Sequence, residues 1–153
     1  MVTMVGTQSD LIAAIKDLIE LDYDAVEAYE AALNRLDREE YKKKLDEFKA
    51  DHERHIEELS TYLKAKNEKA PESGSMKQLL TQGKVVLGSM IGDISILQAM
   101  QSNESDTNTA YERMNQRTDT EEEIKDVLAR GLEDEKKHYQ WLQSVLEEKI
   151  ELS

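Results

Sequence analysis

Several things are missing from this chain, and each absence closes a door. It has no cysteine. There can be no disulfide, no thiolate metal site and no catalytic thiol, and an appended rubredoxin-like or iron–sulfur module is excluded with them. One proline, six glycines and 5% aromatics leave little for sheets and turns, and with 35% charged residues the composition favours helices. Basic residues are short too, 20 Lys and Arg against 33 Asp and Glu, for a net charge of −13. That balance disfavours nucleic acid and anionic membrane surfaces. No apolar run approaches the roughly 20 residues needed to cross a bilayer. Residues 1–7 lack the basic start and apolar core of a signal peptide. There is no phosphate loop, nucleophile elbow or Ser/His/Asp arrangement. A soluble, cytoplasmic, single-domain protein is expected, and 153 residues suffice for a real core.

What is present is a repeated helical pattern. Four segments carry apolar residues at alternating spacings of four and three, the seam of a helix packed in a bundle. The first, over residues 9–36, reads Leu11, Ile15, Leu18, Asp22, Ala25, Tyr29, Ala32, Leu36. The second, over 38–66, reads Tyr41, Leu45, Phe48, His52, His55, Leu59, Tyr62. The third, over 93–116, reads Leu97, Met100, Glu104, Thr107, Tyr111, Met114. The fourth, over 119–150, reads Ile124, Leu128, Gly131, Glu135, His138, Leu142, Val145. Residues 1–8 read as a mobile tail. Residues 67–75 hold the only proline and read as a loop, and residues 76–91 are expected to form a short extra helix. Asp37 with Glu40, and Thr118 with Glu121, have capping-box spacing. Gly92-Asp93 reads as a stop and restart, with Asp93 capping the third helix.

The second half weakly repeats the first. A shift of 82 pairs Asp22 with Glu104, Asp24 with Asp106 and Tyr29 with Tyr111. A shift of 83 pairs Asp51 with Asp134, His52 with Glu135 and His55 with His138. Six ionisable residues therefore interrupt four apolar seams: Asp22, His52, His55, Glu104, Glu135 and His138. All three histidines of the chain are among them. Burying one unpaired carboxylate costs several kcal/mol, a large share of the about 5–15 kcal/mol that stabilises a domain. Something must neutralise such a layer. Three carboxylates and three imidazoles are good ligands for one or two divalent transition ions.

A bland alternative stands beside this. A lone His or Glu in a seam is more often a satisfied polar residue than a ligand. Three protonated histidines could balance three carboxylates in a metal-free network that fixes register. Tyr29 and Tyr111 read first as core aromatics, with hydrogen bonding to the seam carboxylates as a second role. Asp24, Glu27, Glu30, Asp51, Glu53, Asp106 and Glu112 read as solvated or rim charges, with Glu30 and Glu53 as auxiliary ligand candidates. The methionines read as gap fillers, and Trp141 and Tyr139 as packing.

With Glu135-x-x-His138, the matching His52-x-x-His55, and Glu104 and Asp22 each seven residues before a tyrosine, the chain resembles the ferritin-like superfamily. Its likeness is greatest to a bacterial branch of small stand-alone ferritin-like domains of unknown function. The resemblance spans about residues 9–150. It implies an all-α, antiparallel four-helix bundle with a long crossover between the second and third helices. It also implies a carboxylate from the first and third helices and a Glu-x-x-His from the second and fourth. Asp22 and Glu104 would then be terminal ligands, Glu135 the bridge, and His52, His55 and His138 the nitrogen ligands. Two positions depart from the pattern: His52 replaces a bridging Glu, and Asp22 a longer Glu.

Two functions follow as expectations. One is a metal-binding protein with a mono- or dinuclear core site, iron first and zinc or manganese after it, handling iron oxidation or peroxide in a bacterial stress response. The other is a metal-free helical structural or interaction protein with a vestigial His/carboxylate network. The partners expected are metal ions and a second copy in a dimer, not nucleic acid or membrane. A storage cage would need assembly surfaces that the sequence does not reveal.

Overall fold

The computed structural model describes residues 3–74 and 92–152. Among the described residues there are four α-helices and no strand: α1 (Leu11–Leu33), α2 (Glu39–Ala65), α3 (Asp93–Gln116) and α4 (Glu122–Leu152). The extra helix expected at 76–91 lies outside the described residues. Each helix buries the stripe its seam defines. On α1, Ile15, Leu18, Ala25, Tyr29 and Ala32 are buried together with Asp22.

The helix ends differ from their expected chemistry. Asp10 caps α1, accepting from the Ala13 amide at 3.0 Å. The Asp37–Glu40 capping box is not formed, since Arg38 occupies the N-cap of α2 without a side-chain cap. Asp93, from far along the chain, takes that work. Its two carboxylate oxygens accept from the backbone N–H of Asp37 at 2.8 Å and of Arg38 at 3.1 Å. Asp93 therefore does not cap its own helix. The N-cap of α3 is Gly92, at φ +89, a conformation an L side chain rarely adopts. The Thr118 box fails similarly. Helix α4 begins only at Glu122. The Glu121 carboxylate is taken by Tyr62 Oη at 2.6 Å and Lys66 Nζ at 2.8 Å.

These contacts fix the topology. Helix α1 packs on α2 and on α3, and α4 packs on α3 and on α2, so α1 lies diagonal to α4 and α2 to α3. The short turn over residues 34–38 makes α1 and α2 antiparallel. Asp93 ties the start of α3 to that same turn, so α3 also runs antiparallel to α1 and parallel to α2. Glu121 ties the α3–α4 turn to the far end of α2. The end of α2 and the start of α3 therefore lie at opposite ends of the bundle, about 40 Å apart at 1.5 Å per helical residue. The fold is an all-α four-helix bundle with a long crossover.

Residues 3–8 are not the mobile tail expected. Val5 is fully buried, and the segment lies along α3. The Thr3 amide donates to Asp106 Oδ1 at 3.2 Å. Arg113 donates to the carbonyls of Thr3 and Val5, and Arg117 to those of Gly6 and Gln8. Asp106, expected at the rim, is thereby buried. No described helix is long and apolar enough to cross a membrane.

Candidate metal centre

All six residues that interrupt the seams meet in one layer at mid-bundle. Each is essentially inaccessible, His55 being the most exposed at 4%. They form two overlapping groups, Asp22, His52, His55 and Glu135, and His52, Glu104, Glu135 and His138. Within each group the potential ligand atoms lie within 4.8 Å of one another. His52 and Glu135 belong to both groups. They are the residues that the internal repeat makes equivalent, one on α2 and one on α4.

The surroundings of the layer obey the same two-fold logic, and every link crosses from one hairpin to the other. Tyr29 on α1 donates its hydroxyl to Glu104 on α3. Tyr111 on α3 donates to Asp22 Oδ2 on α1 at 2.7 Å. The core reading of both tyrosines and their role as donors are thus one arrangement. On the other side, Asp51 Oδ2 lies 2.8 Å from His138 Nε2, and Asp134 Oδ2 lies 2.9 Å from His55 Nε2. Each outer carboxylate fixes the tautomer and ring orientation of an imidazole on the opposite helix. Both histidines consequently turn Nδ1 inward, His55 to 3.4 Å from Asp22 and His138 to 3.4 Å from Glu104.

Asp51 was expected to be a rim charge, and Asp134 was not singled out. The signal was available in the repeat, which pairs them and sets each immediately before a layer residue. Glu30 and Glu53, the auxiliary candidates, are exposed and stand outside both groups. Glu30 pairs with Lys49 at 3.6 Å. Trp141 packs edge-on against Phe48 and Tyr41, at 5.7 and 6.0 Å between ring centroids.

His52 differs from the other two histidines, because both its ring nitrogens face the layer. Nδ1 is 2.8 Å from Asp22 Oδ1 and Nε2 is 3.2 Å from Glu104 Oε1. Glu135, its counterpart, has the opposite problem. Both of its carboxylate oxygens are buried without a hydrogen-bond partner, as is His138 Nδ1. Their remaining contacts are ion pairs without hydrogen-bond geometry, Glu135 Oε1 lying 3.5 Å from Nδ1 of His52 and of His55. Buried polar atoms left this way are costly, and a ligand would satisfy them.

The electrostatics follow from the packing. Burial alone would drive each imidazole to its neutral form, but the carboxylates around it reverse that. Glu135, Asp22 and Glu104 hold His52 well above the usual histidine range. Asp134 and Asp22 raise His55 to about 9, and Glu104 and Asp51 raise His138 to about 12. Burial pushes the Glu135 carboxyl up to about 7, with the Glu104 charge adding to it. For Glu104 and Asp22 the histidine contacts outweigh burial and hold both below the usual carboxylate range. Burial and the Glu104 charge, and burial and the Asp22 charge, keep the Tyr29 and Tyr111 hydroxyls protonated and donating.

The donor set fits a divalent transition ion. It offers nitrogen and carboxylate ligands without thiolate, inward-facing imidazoles held by outer carboxylates, and a carboxylate shared by both groups whose oxygens accept no hydrogen bond. These buried His/carboxylate groups could hold a metal ion.

Comparison with known proteins adds the family and the fold. No curated protein matches the chain. Among solved structures, it resembles a conserved hypothetical protein, rv2844, from Mycobacterium tuberculosis, with a TM-score of 0.73 at 15% identity. The match covers 88% of this chain and 96% of that one, and at such identity it speaks for the helical fold alone. A family model for a domain of unknown function, DUF2383, matches residues 10–117, which hold α1 to α3 and four of the six layer residues. On that match, covering well over half of its length, the chain belongs to the DUF2383 family.

Proposed function

We propose that this chain is a metal-binding protein of ferritin-like type, whose mid-bundle layer takes one or two divalent transition ions, iron first and manganese or zinc after it. The observation that carries the reading is Glu135, fully buried between two ligand groups with neither carboxylate oxygen hydrogen-bonded. In this reading Asp22 with His55, and Glu104 with His138, are the end ligands, Glu135 the bridge and His52 a shared nitrogen ligand. Charge supports it. In the metal-free layer the raised histidines hold protons. Ions that displaced them would leave neutral imidazoles, and two divalent cations with the Arg54 guanidinium would then balance Asp22, Glu104, Glu135, Asp51 and Asp134. A bound iron would supply electron-transfer chemistry, and iron oxidation or peroxide handling in a bacterial, cytoplasmic stress setting is the activity we infer. The chain's own part is to bind and orient. Tyr29 and Tyr111 hold the end carboxylates, Asp51 and Asp134 hold the imidazoles, and the apolar layers above and below exclude water.

Elemental analysis of protein purified without chelators tests the reading, with His138→Ala as the control. One or two metal ions per chain, lost in the variant while helicity is kept, is the expected result. No metal after anaerobic incubation with iron, manganese and zinc would overturn it.

One observation favours a second reading. Every imidazole already has carboxylate oxygens at contact distance on both nitrogens, as a protonated, metal-free network requires. That network would make the layer a register-setting device in a structural protein. It predicts no metal and no response to chelators.

A further inference from the structure

The two outer carboxylates converge on one cation. Arg54 lies on the solvent side of α2, and its guanidinium spans the α2–α4 groove. One arm reaches Asp51 Oδ1 at 3.0 Å, and the other reaches Asp134 Oδ2 on α4. Those same aspartates hold Nε2 of His138 and of His55. Two chains of contact, Arg54–Asp51–His138 and Arg54–Asp134–His55, therefore start from a single side chain and end on imidazoles belonging to opposite hairpins. The planar guanidinium fork can hold two carboxylates in fixed geometry, which a lysine ammonium cannot do. The repeat underlines this, since the position equivalent to Arg54 in the second hairpin is Lys137, which is exposed. Among the described residues the clamp exists once, on one side.

We propose that Arg54 is a positioning residue for the metal centre: through Asp51 and Asp134 it holds the imidazoles of His138 and His55 with their Nδ1 atoms turned into the carboxylate layer. The inference rests on the metal-binding reading above. It has a consequence whose sign separates it from simple electrostatics. Arg54 is a positive charge close to a cation site, so if charge were its whole effect, removing it would tighten metal binding. As a positioning residue its removal weakens binding, because both imidazoles lose their orientation together.

The test is titration of the chelator-stripped full chain with Co²⁺, followed by the visible absorption of the ion and by calorimetry. Arg54→Gln is expected to weaken Co²⁺ binding about tenfold, the lower end of what loss of outer partners costs, with unchanged helicity and melting temperature. Arg54→Lys should fall between Arg54→Gln and the parent. In the Asp51→Asn/Asp134→Asn background, adding Arg54→Gln should change nothing further, because the contacts through which it acts are already altered. Parent-like or tighter binding in Arg54→Gln would overturn the inference, as would an equal loss in the doubly substituted background. Should Arg54→Gln fail to fold, parent-like binding in Arg54→Lys would overturn it. Failure of the underlying reading looks different: the parent chain itself would bind no Co²⁺.

Discussion

The hairpin α1–α2 and the hairpin α3–α4 are built on one plan, and they part company at a few matched positions. Both carry an acid and a tyrosine seven residues apart, and both carry an aspartate and a histidine four apart on the next helix. Between that aspartate and histidine, the first hairpin has His52 and the second has Glu135. Further up, the first has Phe48 and the second Gly131. Phe48 stacks on His138, with ring centroids 4.3 Å apart. Gly131 leaves room for Tyr111, whose ring lies 5.2 Å from His55, and a Cβ at Gly131 would collide with the Tyr111 ring. The matched positions therefore preserve the geometry of the layer, while the unmatched ones give each histidine a different wall and leave Glu135 as the one carboxylate common to both residue groups.

The sharpest way to break that asymmetry is His52→Glu. On the metal-binding reading, a second carboxylate common to both groups should raise metal content towards two ions per chain. Without metal it should destabilise the protein by about 3–5 kcal/mol, since it replaces a buried cation by a fourth buried anion. Elemental analysis and denaturant melts of the chelated protein read both effects. Unchanged metal content would mean that His52 does not limit the site.

The pH dependence of the chelated protein probes the histidines themselves. The folded-state values of His55, about 9, and His138, about 12, stand above the ordinary 6.5. The folded protein thus binds protons that the unfolded chain releases. The histidines' contribution is fully present below pH 6.5 and falls as pH rises, His55 alone losing on the order of 3 kcal/mol by pH 9. The raised Glu135, at about 7, adds a fall between pH 4.5 and 7. Bound metal should reverse the trend, because protons compete with the ion for the histidines. Denaturant midpoints across pH 5 to 9, with and without metal, check this. Parallel profiles would separate the ion from the imidazoles.

Smaller effects compare the halves directly. Tyr29→Phe and Tyr111→Phe each remove a hydrogen bond to a buried carboxylate and should each cost about 1.5–3 kcal/mol. Equal losses by chemical denaturation would show that the two cross-links do the same work, and a large difference would show that they do not. Gly131→Ala should cost about 1–3 kcal/mol through overpacking against Tyr111. A neutral result would mean that the Tyr111 ring can shift without loss.

Much of the fold and the whole layer were legible because a charge in an apolar seam is a loud signal. Asp22, His52, His55, Glu104, Glu135 and His138 each interrupt a run of residues that burial otherwise makes uniform. Asp51 and Asp134 were quiet because they sit one position off the seam, where periodicity expects solvent, and only the repeat pairs them. Arg54 was silent, since a lone arginine on a polar face says nothing about what it spans. Capping boxes are local rules, and here tertiary partners outbid them. Asp93 satisfies amides 56 and 55 residues away in sequence, and Glu121 serves Tyr62 and Lys66. The buried path of residues 3–8 depends on Arg113 and Arg117, and a six-residue segment carries no period to read.

Each tyrosine and each outer aspartate of the layer reaches across to the other hairpin. Each hairpin supplies three members of one residue group, and the fourth, with the hydroxyl and the outer carboxylate that orient the end pair, comes from the other hairpin, so neither half completes a group alone. The layer is complete only when the halves are docked, which makes ligand capture a reporter of that docking and not of helix formation.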